Sequence, residues 1–409
     1  MALNPSAAYP GQIDTTSDPA GYPFGAAQND AVIGDGLGTP LERGWVKDLF
    51  GFLQALLVQA GLTPSGTPDK VGASQYLTAL TTLGDVRSKL ALYKSQAVNW
   101  PERASFSDSG GSSPPGIGWA PDLGVNGGGL WVLQSGSSNG VYTSEDGELW
   151  TNRGFLGSAS FTNPCISYGK INGSSGFLLS QNSNPGVYYT STDGVTWNSI
   201  TTAAVPANPV SAWNGSLWVM AGNAGVIYTS PTGLANTWTA RTTPAGWIAG
   251  CGGARKIVWN GALFVIIPLA SYGKFLTSPD GITWTERTTV SGIWHGLAYS
   301  SYDGLWLASS DGTGLVASVD GLTWFLQNTA QPSNDLAVNG PAWVMATTNA
   351  LGGGVMYSVD KGATWQKVAV GNHRTITAGW GRVLMGDGRF MVAHGDASKI
   401  EMAMSARVA

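Results

Sequence analysis

A short recurring phrase constrains the fold of this chain more than any other feature. It combines a serine, an aspartate, a glycine and a tryptophan, as in Ser318-Val-Asp320-Gly321-Leu-Thr-Trp324. From Trp150 to Trp365, the tryptophans of successive copies of this phrase are 40 to 47 residues apart, and the copy that begins at Ser230 is degenerate. A period of this length is typical of propellers and solenoids, in which each repeat forms one supersecondary unit.

Each copy of the phrase is interpreted as a hairpin turn. The carboxylate and the hydroxyl can accept backbone N–H bonds, and glycine adopts a positive φ at no steric cost. The tryptophan then begins the next strand and packs between neighbouring sheets. We therefore predict a structural role, rather than acid–base catalysis or metal binding, for Ser144, Asp146, Trp150, Ser191, Asp193, Trp197, Ser278, Asp280, Trp284, Ser318, Asp320, Trp324, Ser358, Asp360 and Trp365.

A second element, a small turn before an apolar strand, lies upstream of each phrase. Asn214-Gly-Ser-Leu-Trp218-Val-Met is an example, and Asn-Gly before such a run is a hairpin signal. This element occurs seven times but the phrase only six, so one outer strand is missing. Residues 98 to 103, with Trp100, are similar to residues 282 to 287, and residues 98 to 104 are predicted to form the missing outer strand. We expect a mostly-β, seven-bladed propeller of four-stranded antiparallel blades over residues 91–409, its last blade closed by the strand near Trp100.

Residues 1–90 share no repeat with the rest and are predicted to form an N-terminal arm and a small, mainly helical domain. Apolar residues at Trp45, Leu49, Phe52, Leu53 and Leu56 have helical spacing. The phrases Gly34-Asp-Gly-Leu-Gly-Thr-Pro-Leu41 and Leu62-Thr-Pro-Ser-Gly-Thr-Pro-Asp69, in this order, resemble the N-terminal domain of many phage and prophage tail-fibre and tail-appendage proteins. That resemblance implies attachment to a virion, often as a homotrimer.

The recurring phrase resembles the Asp-box, or BNR repeat, of sialidases and other propellers. An enzyme of the sialidase type would imply an arginine triad, a Tyr–Glu nucleophile pair and an acidic proton donor. Arg153, Arg241 and Arg287 instead follow the tryptophan of a repeat, on outer strands, which leaves Arg255, Arg374 and Arg382 near the axis or an end face. The sequence shows no pair of carboxylates suitable for glycoside hydrolysis. We expect no enzyme activity, and a glycosidase is the least favoured alternative.

Composition excludes several other classes of function. The chain has a formal charge of −4 and no basic cluster, which argues against nucleic-acid binding. With three histidines and two cysteines, neither a metal site nor a disulfide framework is expected, and no cofactor is implied. The most apolar stretch, residues 45 to 62, is interrupted by Lys47 and Asp48, so no membrane insertion is expected.

The leading hypothesis is a tail-fibre or tail-tip protein of a bacteriophage. Its N-terminal domain would contact other tail or baseplate proteins, and its propeller would bind a host cell-surface receptor, a glycan or a pilus. It would be made in the host cytoplasm, released by lysis and located in the virion. The alternative is a structural tail decoration without a specific ligand. Trp247, Trp294 and His295 fit the repeat least well and are the candidate receptor-binding residues.

Overall fold

The computed structural model describes most of the repeat region and short pieces of the N-terminal part. The described residues are 13–14, 26–27, 57, 62–63, 74–76, 78, 99–100, 102–107, 115–135, 140–156, 164–180, 186–203, 206–312, 314–328, 333–347, 354–370, 382–395 and 399–404. The chain divides into two compact units, Met1–Ala91 and Leu92–Ala409.

In the first unit, Ile13–Asp14 pairs antiparallel with Ala26–Ala27. Leu57, Gln75, Tyr76 and Thr78 have helical conformation, and most of the predicted helical domain lies outside the described residues. In the part of the chain that the structure describes, the only α-helix with defined bounds is Ala245–Gly250, in the second unit. Short 3-10 segments occur at Val125–Gly127, Asn223–Gly225 and Ala235–Thr237.

Six sheets of the second unit each contain four consecutive antiparallel strands. We number them in chain order and give the strands of each. Sheet 1 has Gly116–Ala120, Leu130–Gln134, Gly140–Ser144 and Thr151–Phe155; sheet 2 has Cys165–Ile171, Ser174–Ser180, Val187–Ser191 and Asn198–Thr201; sheet 3 has Val210–Trp213, Trp218–Ala221, Ile227–Ser230 and Thr239–Arg241. Sheet 4 has Ala254–Trp259, Phe264–Pro268, Lys274–Ser278 and Thr285–Thr288; sheet 5 has Ile293–Ser300, Leu305–Asp311, Leu315–Ser318 and Phe325–Asn328; sheet 6 has Ser333–Asn339, Ala342–Thr347, Gly354–Ser358 and Gln366–Lys367.

A further four-stranded sheet, which we call the composite sheet, is assembled from two distant segments. It contains Arg382–Gly386, Arg389–Gly395 and Lys399–Met404, followed by Glu102–Ser107 as its outer strand. The first strands of neighbouring sheets contact one another around an axis. The first strand of the composite sheet contacts the first strands of both sheet 6 and sheet 1, so these inner strands form a closed ring.

The predicted fold is therefore corrected. The described residues form six blades of four consecutive strands, together with the composite sheet, and they include no helical N-terminal domain with defined bounds. The closing strand is also not the one that contains Trp100. Asn99–Trp100 pairs in parallel with Ala369–Val370, in a separate two-stranded sheet, and the composite sheet uses the next segment of the chain, Glu102–Ser107.

Burial follows the position of a strand within its sheet. The second strands, such as Leu130–Gln134 and Trp218–Ala221, are buried on both faces, whereas the outer strand Thr151–Phe155 is mostly exposed. A strand covered on both faces needs a nearly continuous apolar run, and these segments provide one. The core is therefore a series of layers between adjacent sheets, exemplified by Phe275 of sheet 4 against Trp294 of sheet 5, with ring centroids 5.0 Å apart.

Candidate functional site

The recurring turns have nearly the same geometry in all regular copies. At Asp320, the carboxylate accepts the N–H groups of Leu322 and Thr323 at 2.7 and 2.8 Å and the hydroxyl of Ser318 at 2.9 Å. The bond from Thr323, more than any other interaction, holds the pKa of the Asp320 carboxyl below its usual range. Trp324 Nε1 donates to the carbonyl of Gly321 at 3.1 Å. The Oδ1 atom of Asp320 thus accepts three hydrogen bonds from its own turn.

The same contacts join Ser, Asp, Gly and Trp at the other four regular turns, headed by Ser144, Ser191, Ser278 and Ser358. In the degenerate turn, the hydroxyls of Thr232 and Thr237 lie 2.9 Å apart, and Gly233 N–H donates to Ser230 Oγ at 2.8 Å. The outer-strand arginines also have local roles. Arg241 Nε donates to Thr229 Oγ1 at 2.7 Å, with similar bonds at Arg153 and Arg287.

The three candidate receptor-binding residues lie inside the protein. Trp247 and Trp294 have no exposed surface, and His295 is 4% exposed. Trp247 belongs to the helix Ala245–Gly250 and contacts the ring of Tyr272 with centroids 6.1 Å apart. Trp294 packs edge-on against Phe275. Because both indoles are enclosed by other side chains, the two tryptophans present no surface to a ligand in this structure, and their contacts are those of core residues.

A cavity of about 550 Å³ lies at the axis, between the inner strands. Half-buried aromatic side chains line it at Trp119, Trp213 and Trp259, near the last residues of three inner strands. Charged side chains line it near the first residues of the inner strands of sheets 4 and 6 and of the composite sheet: Arg255, Lys256, Asp335 and Arg382. Pockets of this size with aromatic walls and a few polar groups are typical ligand sites.

Three successive inner strands carry a β-bulge close to this charged end. In each bulge, the inner strand has one more residue than the strand with which it pairs. The register shifts lie between Ala254 and Lys256, between Trp294 and Gly296, and between Ser333 and Asp335. The additional residues are Arg255, His295 and Asn334. A bulge redirects side chains and is enriched beside functional sites. Sheets 4, 5 and 6 therefore all depart from regular pairing near the charged end of the cavity.

The Asp335 carboxylate makes three polar contacts at the charged end of the cavity. It contacts the Lys256 ammonium and accepts N–H bonds from Leu336 at 2.9 Å and Val383 at 3.1 Å. The ion pair joins sheet 4 to sheet 6, and the Val383 bond joins sheet 6 to the composite sheet. Asp335 is nearly completely buried, so this pairing offsets the cost of removing its charge from water.

The remaining cations repel one another. Burial, followed by the charge of Arg382, lowers the pKa of the Arg255 guanidinium to about 10. Burial, followed by the charges of Arg255 and Arg382, lowers the pKa of His295 to about 3, so its imidazole is neutral at pH 7. Arg255 Nη2 lies 3.0 Å from His295 Nδ1, which can then accept its hydrogen bond. Among the described lining residues, three cations thus share the charged end of the cavity with one carboxylate.

From the sequence, Arg255 and Arg382 were expected near the axis or an end face, without an assigned function. Trp119, Trp213 and Trp259 line the cavity but were not candidates, whereas the candidates Trp247 and Trp294 are buried. Among the described residues, no three His, Cys, Asp or Glu side chains form a group suited to a metal ion. No helix of the described segments has the length and hydropathy to cross a membrane.

Comparisons with known proteins support the propeller architecture. Residues 204–349, about a third of the chain, match the model of the DUF6242 beta propeller domain. No curated protein sequence matches significantly. A similar solved structure is the extracellular domain of BT4673 from B. thetaiotaomicron, a protein proposed to be a one-component system, with TM-score 0.51 and 12% identity over 73% of this chain. The chain spans 39% of that structure, and at this identity the likeness concerns the fold alone.

Proposed function

We propose that this chain is a bacteriophage tail protein whose propeller binds a molecule of the host surface. The observation that carries the binding role is the axial cavity, which combines aromatic walls with a cluster of cations. The tail assignment rests on the sequence phrases between residues 34 and 77 that resemble tail-appendage proteins. On this proposal the repeats are Asp-boxes, the first unit contacts other tail or baseplate proteins, and the protein is a homotrimer in the virion.

Binding without catalysis is the favoured form of this function. Asp335 is the only carboxylate among the described residues that line the cavity, and it is already paired with Lys256. Hydrolysis of a glycosidic bond ordinarily requires two carboxyl groups on either side of the bond. We therefore propose that the propeller retains its ligand unchanged, and that the ligand is a surface glycan.

The test uses the whole chain on immobilised surface polysaccharides from a panel of bacteria. We expect saturable binding to at least one of them, with no release of reducing sugar during prolonged incubation. The same labelled protein should bind the cells that carry this polysaccharide and should reduce phage adsorption to them. Absence of saturable binding across the panel and to cells would refute the binding role, and release of reducing sugar would refute its non-catalytic form.

The alternative of a structural decoration without a ligand makes the opposite prediction. It requires the protein in the tail but expects no saturable binding of any polysaccharide. Electron microscopy of virions with an antibody against the chain would locate it, and virions that lack the chain would contradict the tail assignment while leaving the binding result intact.

A further inference from the structure

We infer that the axial cavity binds the oxyanion of an acidic saccharide, with the guanidinium groups of Arg255 and Arg382 as its donors. The saccharide part of this inference rests on the proposed function, whereas the anion part rests on the charges of the cavity. Together they name the chemical class that the propeller recognises.

The charged end of the cavity carries more positive than negative side chains. Arg255, Lys256 and Arg382 carry three positive charges, and Asp335 carries the only negative one among the described lining residues. Because Lys256 contacts Asp335 directly, the described lining residues keep a net positive charge at this end. The chain as a whole carries a formal charge of −4, so this concentration of cations is local and opposite in sign to the rest of the molecule.

The guanidinium groups of Arg255 and Arg382 repel each other. Arg382 is close enough to lower the pKa of Arg255, and this effect exceeds the opposing attraction of Asp335. Among the residues that the structure describes, no carboxylate forms an ion pair with Arg382. An anion between the two groups would convert repulsion into attraction, and guanidinium groups match the geometry of carboxylate and phosphate through two parallel hydrogen bonds.

Two of the β-bulges position Arg255 and the side chain that contacts it. Arg255 is the additional residue of the bulge in sheet 4, and His295 is the additional residue of the next bulge, in sheet 5. The neutral imidazole can accept a hydrogen bond from Arg255 without cancelling its charge. His295 is therefore a positioning residue that orients the guanidinium.

The saccharide is favoured by the opposite end of the same cavity. Trp119, Trp213 and Trp259 line it and are half-buried, so each indole keeps some accessible surface. A volume of about 550 Å³ suits a small ligand rather than a polymer segment enclosed on all sides. An acidic sugar can place its charge between the arginines and its apolar ring face toward an indole.

Isothermal titration of the whole chain with three probes at fixed ionic strength tests this inference. The probes are glucuronate, glucose 6-phosphate and glucose, which separate a carboxylate, a phosphate and the neutral sugar. We expect one of the two acidic sugars to bind about tenfold or more tightly than glucose, since hydrogen bonds to a charged group are strong. Equal affinity for all three, or no binding of either acidic sugar, would overturn the inference.

Variants then locate the site. Arg255→Gln and Arg382→Gln should each weaken binding of the acidic sugar by about tenfold or more, whereas Arg382→Lys, which keeps the charge, should retain part of it. Arg241→Gln is the matched control, because Arg241 lies on an outer strand and bonds to Thr229. Unchanged affinity in both axial variants, with melting temperatures equal to that of the parent, would show that the anion binds elsewhere.

The outcome separates this inference from the proposed function. If bacterial polysaccharides bind equally well to the parent and to both axial variants, the binding module stands and the anion site fails. If acidic sugars bind at the arginines but no polysaccharide or cell does, the anion site stands and the host-surface function fails.

Discussion

The glycine of a recurring turn should be far less tolerant of alanine than a glycine of similar φ that faces open space. Gly321 has φ +73°, and a Cβ added there would lie 2.6 Å from Leu263 Cδ2 and 3.2 Å from Trp306 Nε1. Gly304, in the same sheet region, has φ +61° and no atom within 4 Å of an added Cβ. Comparison of Gly321→Ala with Gly304→Ala therefore separates packing from backbone strain.

The expected magnitudes follow from these two terms. A left-handed conformation costs an L-residue about 1 to 2 kcal/mol, and both variants incur this cost. Gly321→Ala also forces a methyl group against the next sheet, and overpacking costs about 1 to 3 kcal/mol. We expect losses of about 2 to 5 kcal/mol for Gly321→Ala and about 1 to 2 kcal/mol for Gly304→Ala.

Urea denaturation followed by tryptophan fluorescence measures both losses in the full chain. A Leu263→Ala background provides the decisive control, because it removes the methyl group that the new Cβ would strike. There, Gly321→Ala should cost only about as much as Gly304→Ala does. Equal losses for the two glycine variants in the parent, or no coupling between positions 321 and 263, would refute the interpretation that the turn packs against the neighbouring sheet.

Two further predictions concern ring closure and pH. N–H groups alternate in direction along a strand, so only one of Ser105→Pro and Phe106→Pro removes a hydrogen bond to Lys399–Met404. On urea denaturation, that variant should lose about 1 to 3 kcal/mol more free energy of unfolding than the other. Equally small losses in both variants would contradict closure of the ring by this strand. The pKa of the Asp320 carboxyl lies below its ordinary value of 3.8, chiefly through the Thr323 N–H, so its stabilisation is present above pH 3.8 and lost as pH falls through the lower folded value. Asp320→Asn should therefore lower the melting temperature at pH 7 and show a smaller further decrease on acidification, and parallel pH profiles for variant and parent would contradict this.

The recurring turns could be interpreted from sequence because their bonds are local. The carboxylate of Asp320 accepts hydrogen bonds from groups two or three residues away, so a short phrase contains both the acceptor and its donors. The closing strand could not be placed in this way. Its register pairs Phe106 with Ile400, almost 300 residues apart. The similarity of the segment around Trp100 to an outer strand placed the closing strand at residues 98 to 104, whereas the strand that pairs is Glu102–Ser107.

Trp247 shows a different failure of pattern reading. Its glycine-flanked segment fits the repeat poorly, and the structure folds it into the helix Ala245–Gly250. Six residues are too few for a helical apolar period to appear, and the indole is buried by tertiary contacts with residues such as Tyr272. An aromatic residue that departs from a repeat is therefore as consistent with local insertion into the core as with a ligand surface.

The charged end of the cavity could not be predicted from the sequence, because it depends on the β-bulges. In a regular strand, Arg255 and Lys256 would point to opposite faces, so sequence alternation cannot predict that both line one cavity. Gly296 ends the bulge of sheet 5, and a Cβ there would lie 2.8 Å from the Leu336 N atom of the adjacent sheet. Only glycine permits this close approach between sheets 5 and 6, next to His295. In a propeller of this kind, a glycine beside a polar residue at the start of an inner strand is therefore a better signal of the axial site than an unusual tryptophan.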